Sequence, residues 1–242
     1  MLFRKKPAIP QDALPRHIGV IMDGNGRWAK KRGLPRSAGH SAGANVFRDI
    51  CRYANSIGIR YMTFYTFSTE NWKRPQEEVD ALMNLLRDYL KKADRFRDEN
   101  MVLKFIGDRS RLPDDLQTLM KENEEASKDA TGMVVVLAIN YGGQDEILHA
   151  CRELCREAAQ GTRTAEELTV QDIAEHLYTA GMPDPDLIIR PSGELRLSNF
   201  LTWQSAYAEL WFSDVLWPDF TSKHLDAAID DYARRSRRFG GL

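Results

Sequence analysis

The chain has 242 residues, 43% of them hydrophobic and 29% charged, with a formal net charge of −1, which suits one large globular domain with a substantial core. A nearly neutral chain is no general polyanion binder, so nucleic acid is not an expected partner and any anionic ligand must be held by local arginines. No apolar stretch reaches the ~20 residues that cross a bilayer, since the uncharged run at 131–144 contains Asn140 and the Gly142-Gly143 pair.

Residues 1–14 read as a flexible arm, and the basic opening lacks the apolar centre and cleavage site of a signal peptide. Residues 15–242 form the domain. Three cysteines fit a reducing compartment, so the chain is expected to be cytoplasmic. Cys151 and Cys155, one helical turn apart, are expected to pack on a helix face.

The first apolar run, His17-Ile18-Gly19-Val20-Ile21-Met22, stops at Asp23-Gly24-Asn25-Gly26 and gives way to the helix-forming Arg27-Trp28-Ala29-Lys30-Lys31-Arg32. This is the pattern of a buried strand, a tight turn and a helix start. It is either an ordinary turn or a backbone cradle for an anion such as phosphate, with Asp23 placed to hold a cation against it. Lys30-Lys31-Arg32 reads as solvated helix surface.

A second helix is predicted over 41–56, closed by Gly58, and a β-branched and aromatic strand over 59–67. Ser68 to Arg74 reads as a polar loop before Pro75. Pro75 opens the longest predicted helix, whose apolar positions Val79, Leu82, Met83, Leu86, Tyr89, Leu90, Ala93 and Phe96 keep the helical period. A strand at 102–106, a helix at 113–129 and an apolar strand at 133–139 follow. Beyond them come a helix at 144–159, a short helix capped by Thr169, a strand at 187–190, a last strand within 206–212 and a final helix at 222–237.

Alternating strands and helices predict an α/β single domain with a central, mostly parallel sheet surrounded by helices. Ligands then sit beyond the carboxyl ends of the strands. The chemically rich segments follow strands: residues 23–27, residues 68–74 and residues 190–198. Arg190 and Arg196, with Ser192 and Ser198, suit bidentate contacts to phosphate oxygens; the same loop also fits a solvated turn with an internal Glu194 salt bridge. Ser68, Asn71, Trp72 and Arg74 fit either a site or a hydrogen-bonded turn anchored by its tryptophan.

Together these residues resemble the cis-prenyltransferases, above all the bacterial undecaprenyl diphosphate synthases. The resemblance is carried by Met22-Asp23-Gly24-Asn25-Gly26-Arg27-Trp28-Ala29, by Arg36 with Gly39-His40, and by Phe67-Ser68-Thr69-Glu70-Asn71-Trp72 with Arg74-Pro75. It continues in Ile106-Gly107-Asp108, Asn140-Tyr141-Gly142-Gly143, Arg190 with Ser192-Gly193-Glu194, and Arg196-Leu197-Ser198-Asn199-Phe200. Tyr207 with Glu209-Leu210, Trp217-Pro218-Asp219-Phe220 and Arg238-Phe239-Gly240-Gly241 complete it. Pro191 departs from the pattern, where threonine is commoner, and removes one backbone N–H from the loop.

The resemblance implies an enzyme that joins an allylic diphosphate, typically farnesyl diphosphate, to successive isopentenyl diphosphates with Mg²⁺. The product would be a long cis-polyprenyl diphosphate, such as the undecaprenyl carrier precursor of cell-wall synthesis. It implies Asp23 and Glu209 as metal carboxylates, Gly24, Asn25, Gly26, Arg27, Trp28, Arg36 and His40 around the allylic diphosphate, and Arg190, Arg196, Leu197 and Ser198 around the isopentenyl diphosphate. Ser68, Thr69, Glu70, Trp72 and Arg74 would complete the site. Asn71 would take part in proton removal, where a neutral amide is suited to orienting or relaying. An apolar tunnel between sheet and helices would hold the growing chain, walled by the helix after Pro75. A homodimer, with Arg238-Phe239-Gly240 reaching the neighbouring site, and delivery of product to the inner membrane surface are also implied. The Asp-Asp-x-x-Asp motif of trans-acting prenyl synthases is missing, since Asp114-Asp115 and Asp230-Asp231 lack the third acid. A non-catalytic partner subunit or a short-chain or rearranging relative on the same scaffold are the alternatives.

Overall fold

A computed structural model describes residues 13–92 and 94–235. The arm at residues 1–12, Ala93 and the basic tail from Ser236, with Arg238-Phe239-Gly240, lie outside the described residues. Among the described residues six strands form one sheet in the order β3-β4-β2-β1-β5-β6, with every pairing parallel. These are β1 (His17–Ile21), β2 (Tyr61–Ser68), β3 (Val102–Ile106), β4 (Val134–Tyr141), β5 (Leu187–Pro191) and β6 (Glu209–Ser213). The helices are α1 (Asn25–Lys31), α2 (Arg36–Ile57), α3 (Gln76–Leu90), α4 (Asp94–Asp98), α5 (Asp114–Ser127), α6 (Gly143–Ala159), α7 (Val170–His176) and α8 (Ser222–Arg234).

The side chains of the central strands alternate between two cores, as the two-residue strand period requires. Val135, Leu137 and Ile139 of β4 join one core with Phe47 of α2, Met83 and Leu86 of α3, Leu116 of α5 and Ile229 of α8. Val136 and Ala138 face the other, with Tyr141, Phe200 and Leu201. No helix among the described residues is long and apolar enough to cross a membrane.

Several boundaries differ from the expectations. Helix α2 begins at Arg36, directly after Pro35, and not at residue 41; Arg36 and His40 therefore ride on its first turns. The helix opened by Pro75 ends at Leu90, because the Leu90 carbonyl accepts from the Asn123 side chain (3.1 Å) and Lys92 N–H bonds three residues back to Tyr89 (3.1 Å). Phe96 still reaches the core, from the separate helix α4. Residues 204–207 form a 3₁₀ turn before β6, so the last strand starts later than expected. Cys151 and Cys155 are exposed on the outer face of α6, whereas Cys51 is buried; the expected packing of the pair does not occur.

Two glycines on α2 bring the first turn of α1 close. A Cβ at Gly39 would lie 2.1 Å from the Asn25 carbonyl oxygen, and one at Gly43 would lie 2.3 Å from Asn25 Oδ1. Bare backbone at these positions seats Asn25 at the carboxyl end of β1.

Candidate active site

The carboxyl ends of β1, β2 and β5 open into a cavity of about 690 Å³ between the sheet and helices α2 and α3. Its mouth is polar: Asp23, Asn25, His40, Ser68, Glu70, Asn71, Arg74, Arg190, Arg196, Ser198 and Asn199 line it. Its depth is apolar, walled by Ala44 and Phe47 of α2, Leu82, Met83, Leu85, Leu86 and Tyr89 from α3, and Leu137 of β4. The one-faced apolar pattern after Pro75 thus serves core and cavity together.

Gly24, held at φ 102°, turns the chain from β1 into α1, a conformation glycine adopts without Cβ strain. Its N–H donates to Asp23 Oδ1 (2.6 Å), while Asp23 Oδ2 accepts from Arg190 Nη2 (2.9 Å). Burial pushes the Asp23 carboxyl up, but the Arg190 hydrogen bond leads a set of donors that hold it below the usual range. Asp23 is therefore an anion at neutral pH.

Arg190, only 4% exposed, spends its fork on the protein: Nη1 donates to the Arg196 carbonyl and to Ser198 Oγ (2.8 Å). Arg27 Nη1 donates to the Ser192 carbonyl (2.8 Å), and its guanidinium pairs with Asp23 (3.4 Å) and Glu194 (3.3 Å). Two arginines thus tie the turn after β1 to the loop after β5. Pro191 leaves no gap in this loop, because the next two amides, of Ser192 and Gly193, bond to β6 and its exit at 2.7 and 2.8 Å.

Within the loop expected at 68–74, Thr69–Lys73 form a 3₁₀ turn capped by Ser68, with a capping box in which Asn71 Oδ1 accepts from Ser68 N–H (3.2 Å). That fixes the Asn71 carbonyl and leaves its NH₂ as a donor. Arg74 pairs with Glu78 (2.6 Å), which also holds Arg36 (3.2 Å). Burial first, then the Arg36 and Arg74 charges, lower the His40 pKa to about 4. His40 is neutral at physiological pH, and its buried Nε2 has no partner.

Other expected residues stand outside the cavity. Trp72 packs edge-on against Phe67 (5.0 Å) and donates to Asn140 Oδ1 (2.7 Å), so it is the turn's anchor. Trp28 faces away, donating to Asp219 (2.8 Å) under the Arg32 guanidinium (4.1 Å). Leu197 packs in the second core, and Thr69 Oγ1 donates to Asp145 (3.0 Å). Gly24, Gly26, Arg27 and Arg36 flank the mouth without lining it.

Glu209 stands at the start of its strand and far from Asp23 within the chain. It begins β6 in register with Leu187 and, through β5, with Ile18, while Asp23 lies five residues past Ile18. At about 3.3 Å per residue, roughly 16 Å of strand separates the two within one chain. Glu209 instead pairs with Arg235 (2.5 Å). No cluster of three metal-ligating side chains exists among the described residues. Conversely, sequence reasoning missed Tyr65, Glu78 and Asn199, whose roles emerge only from which strand ends and turns become neighbours.

Residues 21–240 match the family model described as putative undecaprenyl diphosphate synthase. The chain belongs to the undecaprenyl diphosphate synthase family. Curated isoprenyl transferases are similar over nearly their whole length: that of Clostridium tetani is 52% identical over 96% of this chain and 91% of its own, and that of Rhizobium meliloti 53% over 95% and 93%. Among solved structures, lavandulyl diphosphate synthase from Lavandula x intermedia, in complex with dimethylallyl diphosphate, superposes with a TM-score of 0.92 at 35% identity, covering 95% of this chain and 100% of its own. A probable undecaprenyl diphosphate synthase from Campylobacter jejuni gives 0.78 at 33%, covering 94% and 99%. Membership makes the protein a prenyl transferase.

Proposed function

We propose that this family member condenses farnesyl diphosphate with successive isopentenyl diphosphates to give a long cis-polyprenyl diphosphate such as undecaprenyl diphosphate. One observation carries the reading: a single cavity joins an arginine-rich mouth to an apolar depth between α2 and α3. In this reading the turn at residues 24–27, with Arg36 and His40, receives the allylic diphosphate. Arg196 and Ser198 receive the isopentenyl diphosphate, and the Asn71 NH₂ orients it toward the allylic carbon.

Mg²⁺ commonly binds one or two protein carboxylates, with substrate phosphates and waters filling the remaining positions. An ionised, partly exposed Asp23 at the mouth fits that demand. Bound there, the ion would neutralise diphosphate charge as the allylic C–O bond breaks. Glu209 can serve such a centre only from a second copy. We place that copy along β6, an edge strand beside which Leu195, Tyr207 and Leu210 are exposed. Each five-carbon unit kept in the apolar depth gains at most roughly 4 kcal/mol, at about 0.8 kcal/mol per CH₂, which favours elongation until the depth is filled. A tail of that kind leaves for a bilayer, so product delivery at the inner membrane surface completes the proposal.

The likeness to lavandulyl diphosphate synthase supports a second reading, a short-chain or rearranging enzyme on the same scaffold. Incubation with farnesyl and isopentenyl diphosphates and Mg²⁺, followed by sizing of the product, decides between them. A long product supports the first reading, a short or irregular one the second. No product refutes both.

A further inference from the structure

Asn199 was not among the expected site residues, yet three segments meet on it. Its Nδ2 donates to Glu70 Oε1 (2.9 Å), its Oδ1 accepts from Gln144 N–H (2.8 Å), and its carbonyl accepts from Gly143 N–H (2.7 Å). The convergence is tight. A Cβ at Gly142 would lie 2.8 Å from Asn199 Nδ2 and 2.7 Å from both Thr69 Oγ1 and Asp145 Oδ2. The orientation of the amide is dictated by its neighbours, since a backbone N–H only donates and the Glu70 carboxylate only accepts. Burial opposes the charge on Glu70, but its hydrogen bonds, with that from Asn199 foremost, hold it below the ordinary carboxylate range.

The backbone here is strained. Ser198, Asn199 and Leu201 have φ of 51°, 66° and 45°, a region that L-residues seldom adopt and that asparagine tolerates best. Such strain persists only where the surroundings over-determine it. Asn199 supplies three of the bonds that do so, and Arg190 to Ser198 Oγ (2.8 Å) and Tyr65 to the Ser198 carbonyl (3.3 Å) supply two more. Released, Ser198 and Arg196 would leave their place opposite the turn that carries Asn71.

We propose that Asn199 is a positioning residue, a latch that fixes the Arg196–Ser198 loop against the Glu70–Asn71 turn and so sets the isopentenyl diphosphate subsite. This rests on the reading that Arg196 and Ser198 bind that substrate. Asn199 itself acts through the loop and need not touch the substrate.

The test is a donor–acceptor reversal, with KM for isopentenyl diphosphate, kcat and thermal unfolding measured for each protein. Asn199→Asp keeps the acceptor for Gln144 N–H but sets a carboxylate against Glu70; KM should rise about tenfold or more, with a smaller change in kcat. In the Glu70→Gln background the same substitution is repaired, because the new amide at position 70 can donate to the new carboxylate at position 199. There, KM should match that of Glu70→Gln alone. An equal rise in both backgrounds, a fall in kcat alone, or an unchanged KM overturns the latch. If Asn199→Asp does not fold, Asn199→Gly, which accepts the positive φ but lacks the amide, must raise KM for isopentenyl diphosphate, and an unchanged value again overturns it. A wild-type protein that elongates nothing refutes the underlying reading; an active wild type with unresponsive variants refutes the latch alone.

Discussion

His17 opens β1 with its imidazole enclosed, 1% exposed. The Pro183 carbonyl can only accept, so Nδ1 carries the proton and donates (2.7 Å), leaving Nε2 to accept from Thr63 Oγ1 (2.8 Å). Burial dominates over the opposing Pro183 bond and Asp186 charge, and lowers the pKa from 6.5 to about 4. A base with its folded pKa below its unfolded one is protonated first in the unfolded chain, so stability is lost as pH falls between those values and is untouched above the higher one. The full effect of that drop is about 3 kcal/mol, of which roughly 2 kcal/mol has developed by pH 5. In His17→Asn the replacing amide does not titrate and retains an N–H donor. Urea unfolding of the wild type and this variant at pH 7.5 and 5.0, at one protein concentration, isolates the contribution, because the depressed His40 is common to both. The wild type should lose about 2 kcal/mol more than the variant across this interval. Equal losses would refute the reasoning. Turnover per folded molecule at pH 7.5 should be unchanged, since His17 lies at the opposite end of β1 from Asp23.

Asp23→Asn keeps the size of the side chain and removes its charge; activity should fall by at least about a hundredfold, and retained Mg²⁺-dependent turnover would count against the metal role. Arg196→Ala breaks only a surface pair with Glu194, so stability should move by less than about 1 kcal/mol while KM for isopentenyl diphosphate rises; an unchanged KM contradicts the assignment. Gly39→Ala drives a methyl into the Asn25 carbonyl, costing about 1–3 kcal/mol and several degrees of melting temperature, which calorimetry would register. If Glu209 acts across a dimer, mixing inactive Asp23→Asn and Glu209→Gln subunits should restore activity through one intact site per mixed dimer. Mixtures as dead as their parents would place Glu209 outside the metal centre.

The sheet was legible because its strands are apolar runs that end in polar turns, a pattern set by burial on both faces. That the three polar turns share one cavity followed from a parallel sheet, which puts every strand's carboxyl end at one edge. Less visible were directions. Trp72 and Trp28 sit in the right segments, but rotamer and neighbours send their rings to Asn140 and Asp219. Leu90 falls in an unbroken apolar period, and only a partner from another helix, Asn123, ends the run there. Glu209 opens its parallel strand and so lies at the edge of the sheet opposite Asp23 within one chain. Asn199 stood in the Arg196–Phe200 motif without a role, because its partners lie 55 and 129 residues away in sequence.

Arg190 and Arg196 read alike in sequence, six residues apart in one loop, but burial separates their parts. A guanidinium that is 4% exposed must be paired whether or not substrate is present. Asp23, Ser198 and the Arg196 carbonyl meet that need at both Nη atoms from within the chain, while the buried Nε has no partner. Arg190 therefore cannot swing out to capture a diphosphate without giving up its bond to Asp23, which would keep only the longer Arg27 pair (3.4 Å) and the Gly24 N–H. We propose that its part is to keep Asp23 ionised and aimed, and to bind the two loops into one mouth. Arg196, with a side chain 60% exposed and only Glu194 of its own loop as partner, is the arginine with freedom to reach. Removing Arg190 should therefore damage both diphosphate subsites together, whereas removing Arg196 should damage one.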